Sequence, residues 1–207
     1  MSDIIKAKTL RAIVGGFGMI LPWIVALLVG YFPKSISITW YTNACTPFMI
    51  ILGCAGVLLM CYHGYDVFDD VLNTAAGIFA IGICLFPCKP PSTYLLDVTG
   101  TFLIPNNISN IIHNICAVSF FGILSYNSFF QFTKSNGNID TRKRIRNIIY
   151  RICGIGMIAS FLLFLLPDFY IKVWLIETFA LFFFGISWIT KANIIPFLAA
   201  DPKIKKK

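Results

Sequence analysis

Residues 172–191 read KVWLIETFALFFFGISWITK, and their pattern decides the fold of this chain. Between the two end lysines, Lys172 and Lys191, Glu177 is the only charged residue. A helix of about 20 mostly apolar residues is long enough to cross the hydrocarbon core of a bilayer. The stretch therefore predicts a transmembrane helix that carries one carboxylate.

The composition of the whole chain agrees with this prediction. Of its 207 residues, 57% are hydrophobic and 13% are charged, and the mean hydropathy is +0.79. Soluble domains usually carry about 25% charged residues. Because a core of this size cannot cover so much apolar surface, we predict an integral membrane protein.

Six segments have the apolarity, and nearly all the length, expected of transmembrane helices. Pro33, Pro87 and Pro167 each lie where a span should stop, as expected of a residue that cannot continue a helix. We predict an all-α polytopic bundle of six transmembrane helices, formed by the single domain 1–207. The expected spans cover about residues 10–32, 47–63, 69–86, 110–132, 147–166 and 172–190.

Lysine and arginine are distributed unevenly between the two sides of this bundle. Of the 17 in the chain, only Lys34, Lys89 and Lys172 fall on one side. The other side holds the termini, the segment TRKRIRN at 141–147 and the basic tail 191–207. The positive-inside rule places that side in the cytoplasm. The net charge of +8 follows this topology pattern, so we predict no nucleic-acid partner.

Two longer connections, residues 33–46 and 87–109, fall on the outer side. The sequences SISITW at 35–40 and TYLLDVTGTFLI at 93–104 have strand-like patterns. Two interpretations stay open, a small extracytoplasmic cap on the bundle or mobile interfacial loops. A disulfide between Cys45 and Cys88 is a further open alternative, although the odd count of 7 cysteines argues against a complete disulfide framework.

Polar residues at membrane depth are candidates for function because hydrocarbon penalises them. On the outer side, the expected ligand-binding residues are Asn43, His113, Asn114 and Glu177. They would form a polar pocket open to that side. The alternative for Glu177 is a structural hydrogen bond between helices, with one of the other three as its partner.

A second polar group lies in CYHGYDVFDDVLN, residues 61–73, on the cytoplasmic side. Acidic residues at a helix start cap free N–H groups and face the positive end of the helix dipole. We interpret the turn as a capped hairpin beside a basic loop, with cytoplasmic ligand or cation binding as the alternative. The acidic turn contains His63, Asp66, Asp69 and Asp70, and its expected cationic neighbours are Arg142, Lys143, Arg144 and Arg146.

The two histidines fall at opposite ends of the predicted spans. About 18 residues at 1.5 Å per residue separate those ends, so His63 and His113 cannot share one metal. Membrane hydrolases of the alkaline ceramidase and adiponectin-receptor superfamily bind zinc through three histidines, whereas this chain has 2. We predict neither a metal nor another cofactor.

Ordered blocks across residues 41–191 resemble a family of small bacterial membrane proteins of unknown function. Its "GYD…D" turn corresponds to Gly64, Tyr65, Asp66 and Asp69, and its "AGxFAxG…FP" helix to AGIFAIGICLFP at 76–87. IIHNICAVSFF, RNIIYRICG and ETFALFFFGISWITK are also similar. The resemblance implies six helices and a cell inner-membrane location, and it places His113 and Glu177 on motif positions. It implies no activity.

Four functions remain open, and one of them is a purely structural role as a partner in a larger complex. The first is binding of a lipid or small polar ligand in the outer pocket. The second is a small proton-coupled transporter, against which the absence of an inverted repeat argues. The third is a membrane-embedded lipid-modifying enzyme with His113 as its base. Membrane lipids are the expected partners in every case, and the sequence leaves the oligomeric state open.

Overall fold

The computed structural model describes residues 2–64, 66–135 and 140–198, and these are mainly helical. Tyr65 of the GYD turn lies outside the described residues, as do Lys203, Lys205, Lys206 and Lys207 of the expected basic tail. The helices are α1 (Ser2–Val29), α2 (Cys45–Met60), α3 (Val67–Leu85), α4 (Asn106–Tyr126), α5 (Thr141–Ser160) and α6 (Lys172–Lys191). A π-helical turn, Asn127–Gln131, extends α4, and a 3-10 turn, Phe161–Leu165, extends α5.

Within the described ranges, five helices are long and apolar enough to cross a membrane, consistent with a multi-pass membrane protein. The exception is α2, which has 16 residues, whereas the sequence predicted a longer span over 47–63. It ends at Met60, and Tyr62 beyond it turns inward to pack against Trp188, with ring centroids 5.1 Å apart. The other helices lie within a few residues of their predicted spans, apart from the starts of α1 and α5, since α1 begins at Ser2 and not near residue 10.

The start of α5 precedes its predicted start at residue 147. Asp140 caps the helix, because its side chain accepts a hydrogen bond of 2.5 Å from the backbone N–H of Lys143. This cap extends the helix back to Thr141. The basic segment TRKRIRN is therefore helical and is part of the bundle.

The six helices form a closed ring. Consecutive helices pack against each other, and α6 packs against α1 to complete the circuit. The interior is filled by large apolar side chains from several helices, including Phe48, Phe120 and Phe184, each at most 2% exposed. The ring therefore has two ends, which differ in chemistry.

We call the end that holds residues 7–11, 60–64, 66–70, 127–135, 140–146 and 191–198 the terminal end. The opposite end, with residues 30–44, 86–105 and 161–171, is the loop end. At the loop end, SISITW does not form a strand, because residues Ser37–Tyr41 form a 3-10 helix. The segment TYLLDVTGTFLI forms only a short hairpin in which Val98–Thr99 pairs with Ile104–Pro105.

All seven cysteines, each of which lies in the described part of the chain, are free thiols. The suggested disulfide between Cys45 and Cys88 is therefore not formed. Burial raises the pKa of the Cys88 thiol to about 12. Because the thiolate is the reactive form, this thiol is poorly suited to disulfide exchange.

Glycine allows the closest approach between α2 and α3. A Cβ added at Gly56 would lie 2.9 Å from the carbonyl oxygen of Gly77 and 3.1 Å from the Cβ of Ala80. Gly53, one turn earlier on α2, has open space at the same position. Only the first of these two glycines is required by packing.

We therefore expect Gly56→Ala to destabilise the protein by about 1–3 kcal/mol, the usual cost of overpacking a tight contact. Gly53→Ala is the matched control and should be neutral or slightly stabilising, since alanine favours helix. Thermal unfolding of both purified variants in the same detergent measures the difference. Equal midpoints would contradict this account of the contact.

Candidate functional site

Glu177 lies in the second turn of α6 and faces the segment that follows α1. Its carboxylate accepts hydrogen bonds from the backbone N–H of Ile36 and from the hydroxyl of Ser37, the latter at 2.9 Å. These partners lie about 140 residues away in sequence. The carboxylate therefore joins α6 to a distant loop.

Residues 34–41 cross the loop end from α6 to the exit of α3. At one side, the N–H of Trp174 donates to the carbonyl of Lys34 at 3.0 Å. At the other side, the indole N–H of Trp40 donates to the carbonyl of Cys84 at 3.1 Å. The hydroxyl of Tyr41 donates to the carbonyl of Cys88 at 2.8 Å. The segment is thus tied down at both sides, with Glu177 beneath its first half.

A cavity of about 40 Å³ lies directly below this segment, in the middle of the ring. Glu177 and Ser37 are its only polar lining residues in the described chain. The apolar part of the wall comes from Leu21, Ile36, Phe48, Leu52, Ile83, Ala117, Phe120, Phe121 and Leu181. The cavity is therefore an apolar space with one acidic group on its wall.

The carboxylate of Glu177, which lines this space, retains hydrogen-bonding capacity beyond its two partners. An ionised carboxylate offers about four acceptor positions. Ile36 and Ser37 occupy only part of them. A hydrogen-bond donor or a small cation in the cavity would meet an acceptor that the protein already holds in position.

His113 hydrogen-bonds to the backbone where the chain leaves α3 and does not contact Glu177. It is 4% exposed, and its Nδ1 lies 2.9 Å from the carbonyl oxygen of Phe86. A carbonyl can only accept, so Nδ1 carries the hydrogen. One turn earlier on α4, the hydroxyl of Ser109 donates to the carbonyl of Pro87 at 2.8 Å. Both side chains secure the chain where it leaves α3.

The two asparagines of the predicted pocket lie away from Glu177. Asn43 donates from its side chain to the carbonyl of Leu28 at 2.8 Å, near the end of α1. Asn114 is exposed on the surface of α4. The expectation that Asn43, His113 or Asn114 is the hydrogen-bond partner of Glu177 is therefore wrong. Of the four predicted residues, Glu177 alone lines the cavity.

The acidic turn at the terminal end forms a capped helix start, as predicted. Asp66 is the N-cap of α3, and its carboxylate accepts the N–H of Asp69 at 2.9 Å. Asp70 accepts the N–H of Gly64 at 2.6 Å. His63 is exposed. The turn is held by hydrogen bonds within the segment itself.

Lys134 is the cation that pairs with this turn. Its ammonium lies 2.9 Å from Asp66 and 3.4 Å from Asp69. The hydrogen bond from Lys134 lowers the pKa of Asp66, and the same bond raises the pKa of Lys134. For Asp66, the prediction of a partner among Arg142, Lys143, Arg144 and Arg146 is wrong. Lys134 lies in the sequence FTKS at 132–135, just after the fourth predicted span, and nothing in the spacing of this stretch identified it as the partner.

A buried chain of amides continues inward from the turn. The side-chain amide of Asn73 donates to the carbonyl of Asp69 at 2.6 Å. The amide of Asn127, in the π-helical turn, donates to the side-chain oxygen of Asn73 at 3.1 Å. This network links α3 to the end of α4. No group of three or more histidine, cysteine, aspartate or glutamate residues in the described ranges is arranged to hold a metal ion.

Comparison with known proteins found no family model, no curated protein and no solved structure that matches this chain. Function is therefore inferred from the geometry of the two ends of the ring.

Replacing His113 tests its structural role. His113→Ala leaves the carbonyl of Phe86 without its donor, and an unpaired buried polar group costs about 1–3 kcal/mol. We expect a clear loss of thermal stability in detergent. Asn114→Ala, on the exposed face of the same helix, is the control and should change stability by less than about 0.5 kcal/mol. If both variants unfold like the wild type, His113 does not secure the α3 exit.

The ion pair of Asp66 predicts that the stability of the protein depends on pH in the acidic range. Because its pKa in the folded protein lies below the ordinary 3.8, its contribution is complete above that pH and is lost as the pH falls further. Asp66→Asn should lower stability at pH 7 and reduce the additional loss between pH 5 and pH 3. Asp97→Asn, at the opposite end, should behave like the wild type. Unfolding midpoints across this pH range measure the effect, and parallel curves for Asp66→Asn and the wild type would contradict it.

Proposed function

We propose that the protein is a multi-pass inner-membrane protein, with both termini in the cytoplasm, that binds a small polar ligand at Glu177 from the outer side. The five long apolar helices and the uneven distribution of lysine and arginine support the membrane topology. The observation that carries the proposed activity is a single carboxylate on the wall of an otherwise apolar cavity.

The size of the cavity limits the ligand. Sites for drug-sized molecules usually measure about 300–1,000 Å³, whereas this cavity measures about 40 Å³. A lipid headgroup does not fit, so a ligand of a few heavy atoms is favoured over a lipid. Because Glu177 only accepts hydrogen bonds when ionised, the ligand is a small cation or a neutral hydrogen-bond donor.

The segment 34–41 controls access in this proposal. Together with the short hairpin at 98–105 it forms the extracytoplasmic cap. Ile36 and Ser37 both bind Glu177 and line the cavity. A ligand that reaches the carboxylate must therefore pass or displace the start of this segment. Binding would then change the conformation of residues 34–41.

Proton-coupled transport is less well supported than ligand binding, because of the side chains that fill the interior of the ring. A polar route would have to connect Glu177 with Asn73 and Asn127 near the terminal end. Between them, the packed interior contains Leu52, Phe120 and Phe184, all of which are buried. The described residues thus place an apolar layer between the two polar clusters.

An enzyme that modifies lipids is also less well supported. The expected base, His113, is bonded to the carbonyl of Phe86 and does not line the cavity. The reacting lipid would also have to enter a space of about 40 Å³. Binding of a small ligand, unlike catalysis, requires no side chain beyond those that already line the cavity.

Small ammonium ions test the proposal, since they combine charge, hydrogen-bond donors and graded size. Thermal unfolding of the full-length protein in detergent should be measured with ammonium, methylammonium and tetramethylammonium chloride at equal ionic strength. Ammonium and methylammonium should stabilise the protein, by about 1.4 kcal/mol at ten times the dissociation constant. Tetramethylammonium is too large and has no donor, so it should have no effect.

Three variants complete the test. Glu177→Gln should abolish the stabilisation, whereas Asp168→Asn, which removes an exposed acid at the same end, should retain it. Ala117→Leu fills the cavity from its wall and leaves the carboxylate in place, so it should also abolish binding. This variant provides the test if Glu177→Gln does not fold. Equal responses to all three ions, or binding retained by Glu177→Gln, would refute the proposed site.

A further inference from the structure

Four basic side chains converge at the terminal end. Arg11 comes from α1, Lys143 and Arg146 come from α5, and Lys191 is the last residue of α6. The guanidinium of Arg11 donates to the carbonyl oxygen of Lys191 at 3.4 Å, and the ammonium of Lys191 interacts electrostatically with the other three cations and with Asp69. Three helices thus bring like charges together in one place.

Aromatic rings hold these cations in position. The Arg11 guanidinium lies 5.1 Å from the ring centroid of Tyr62, and the Lys191 ammonium lies 4.8 Å from that of Phe132. Tyr62 and Phe132 both pack against Trp188, at centroid distances of 5.1 Å and 5.5 Å. The rings therefore form one continuous platform under the basic groups. Cation–π contacts stabilise the individual cations without adding an opposite charge.

The acidic residues at this end do not balance the charge. Residues of the terminal end include 8 lysines and arginines against 4 aspartates within the described ranges. Two of these aspartates, Asp66 and Asp69, pair with Lys134. Asp140, which faces Lys143, is used as the N-cap of α5. An excess of positive charge therefore remains.

Part of this charge is buried, together with hydrogen-bond donors that have no acceptor. Arg146 is 7% exposed, and one of its terminal nitrogens donates to the carbonyl of Leu198. The Nε of Arg11 and the indole N–H of Trp188 are buried without a hydrogen-bond partner. Buried polar groups without partners are costly and uncommon. Unpaired donors beside excess positive charge favour an anion with several oxygens.

We propose that the terminal end binds a phosphate group through Arg11 and Arg146, supplied either by the headgroup of an anionic lipid or by free phosphate. Guanidinium groups match phosphate oxygens with paired N–H donors. Basic pockets between transmembrane helices, near the membrane surface, suit phospholipid headgroups. The site lies at the opposite end of the ring from Glu177 and does not depend on the ligand proposed there.

The test uses full-length protein in nanodiscs of phosphatidylcholine, to which either inorganic phosphate or short-chain phosphatidylglycerol is added. Binding is measured by calorimetry and by native mass spectrometry. Arg11→Gln and Arg146→Gln should each weaken binding about tenfold or more, as expected for the loss of a charge-assisted hydrogen bond. Arg144→Gln is the matched control, because it removes an exposed arginine from the same helix. It should change binding less than twofold.

Each outcome is decisive. Binding of inorganic phosphate supports the site and identifies a free phosphate ligand, and binding of phosphatidylglycerol alone supports it and identifies a lipid. Arg146 is the more buried of the two arginines, so its replacement is the one at risk of preventing folding. If Arg146→Gln does not fold, Arg11→Gln alone provides the test. The proposal is overturned if the wild type binds neither probe, or if Arg144→Gln weakens binding as much as the two cluster variants do.

Discussion

The carboxylate of Glu177 is the group on which the loop end depends. It binds two successive residues of a loop that has no regular strand or α-helix to stabilise it. Without this acceptor, the N–H of Ile36 and the hydroxyl of Ser37 would lose their partner inside a largely apolar environment, at a cost of about 1–3 kcal/mol per group. The carboxylate therefore fixes the start of this loop directly above the cavity, between the ties that hold its two sides.

The two ends of the ring accommodate charge in different ways. At the loop end, Glu177 meets neutral donors and an apolar cavity, while the exposed Asp168 pairs with Lys172. At the terminal end, charges of both signs occur together, and aromatic rings separate the cations from the core. Between the ends, large apolar side chains fill the ring and separate the two clusters. The proposed ligand sites at these ends are thus independent of each other.

The sequence predicted most of the helical fold because membrane spans have a strong, local signal. The length of each apolar segment indicated where the helices lie. Asp66 was correctly predicted as the cap of α3. The contacts of Glu177 were not predictable in the same way. Its partners are a backbone N–H and a serine in a loop about 140 residues away, and no spacing rule connects them. Lys134 was missed for the same reason, since four closely spaced cations at 142–146 offered a stronger pattern.

The short length of α2 has a consequence for the surrounding lipid. Its 16 residues extend about 24 Å at 1.5 Å per residue, several ångströms less than a typical hydrocarbon core of about 30 Å. Ile50 and Val57 on this helix are more than half exposed, so its outer face is available to acyl chains. If α2 crosses a bilayer, hydrophobic mismatch at this face would thin the bilayer beside α2 more than beside the longer helices. In a bilayer, the protein would therefore deform its lipid annulus on one side only, and it would favour thinner membrane regions.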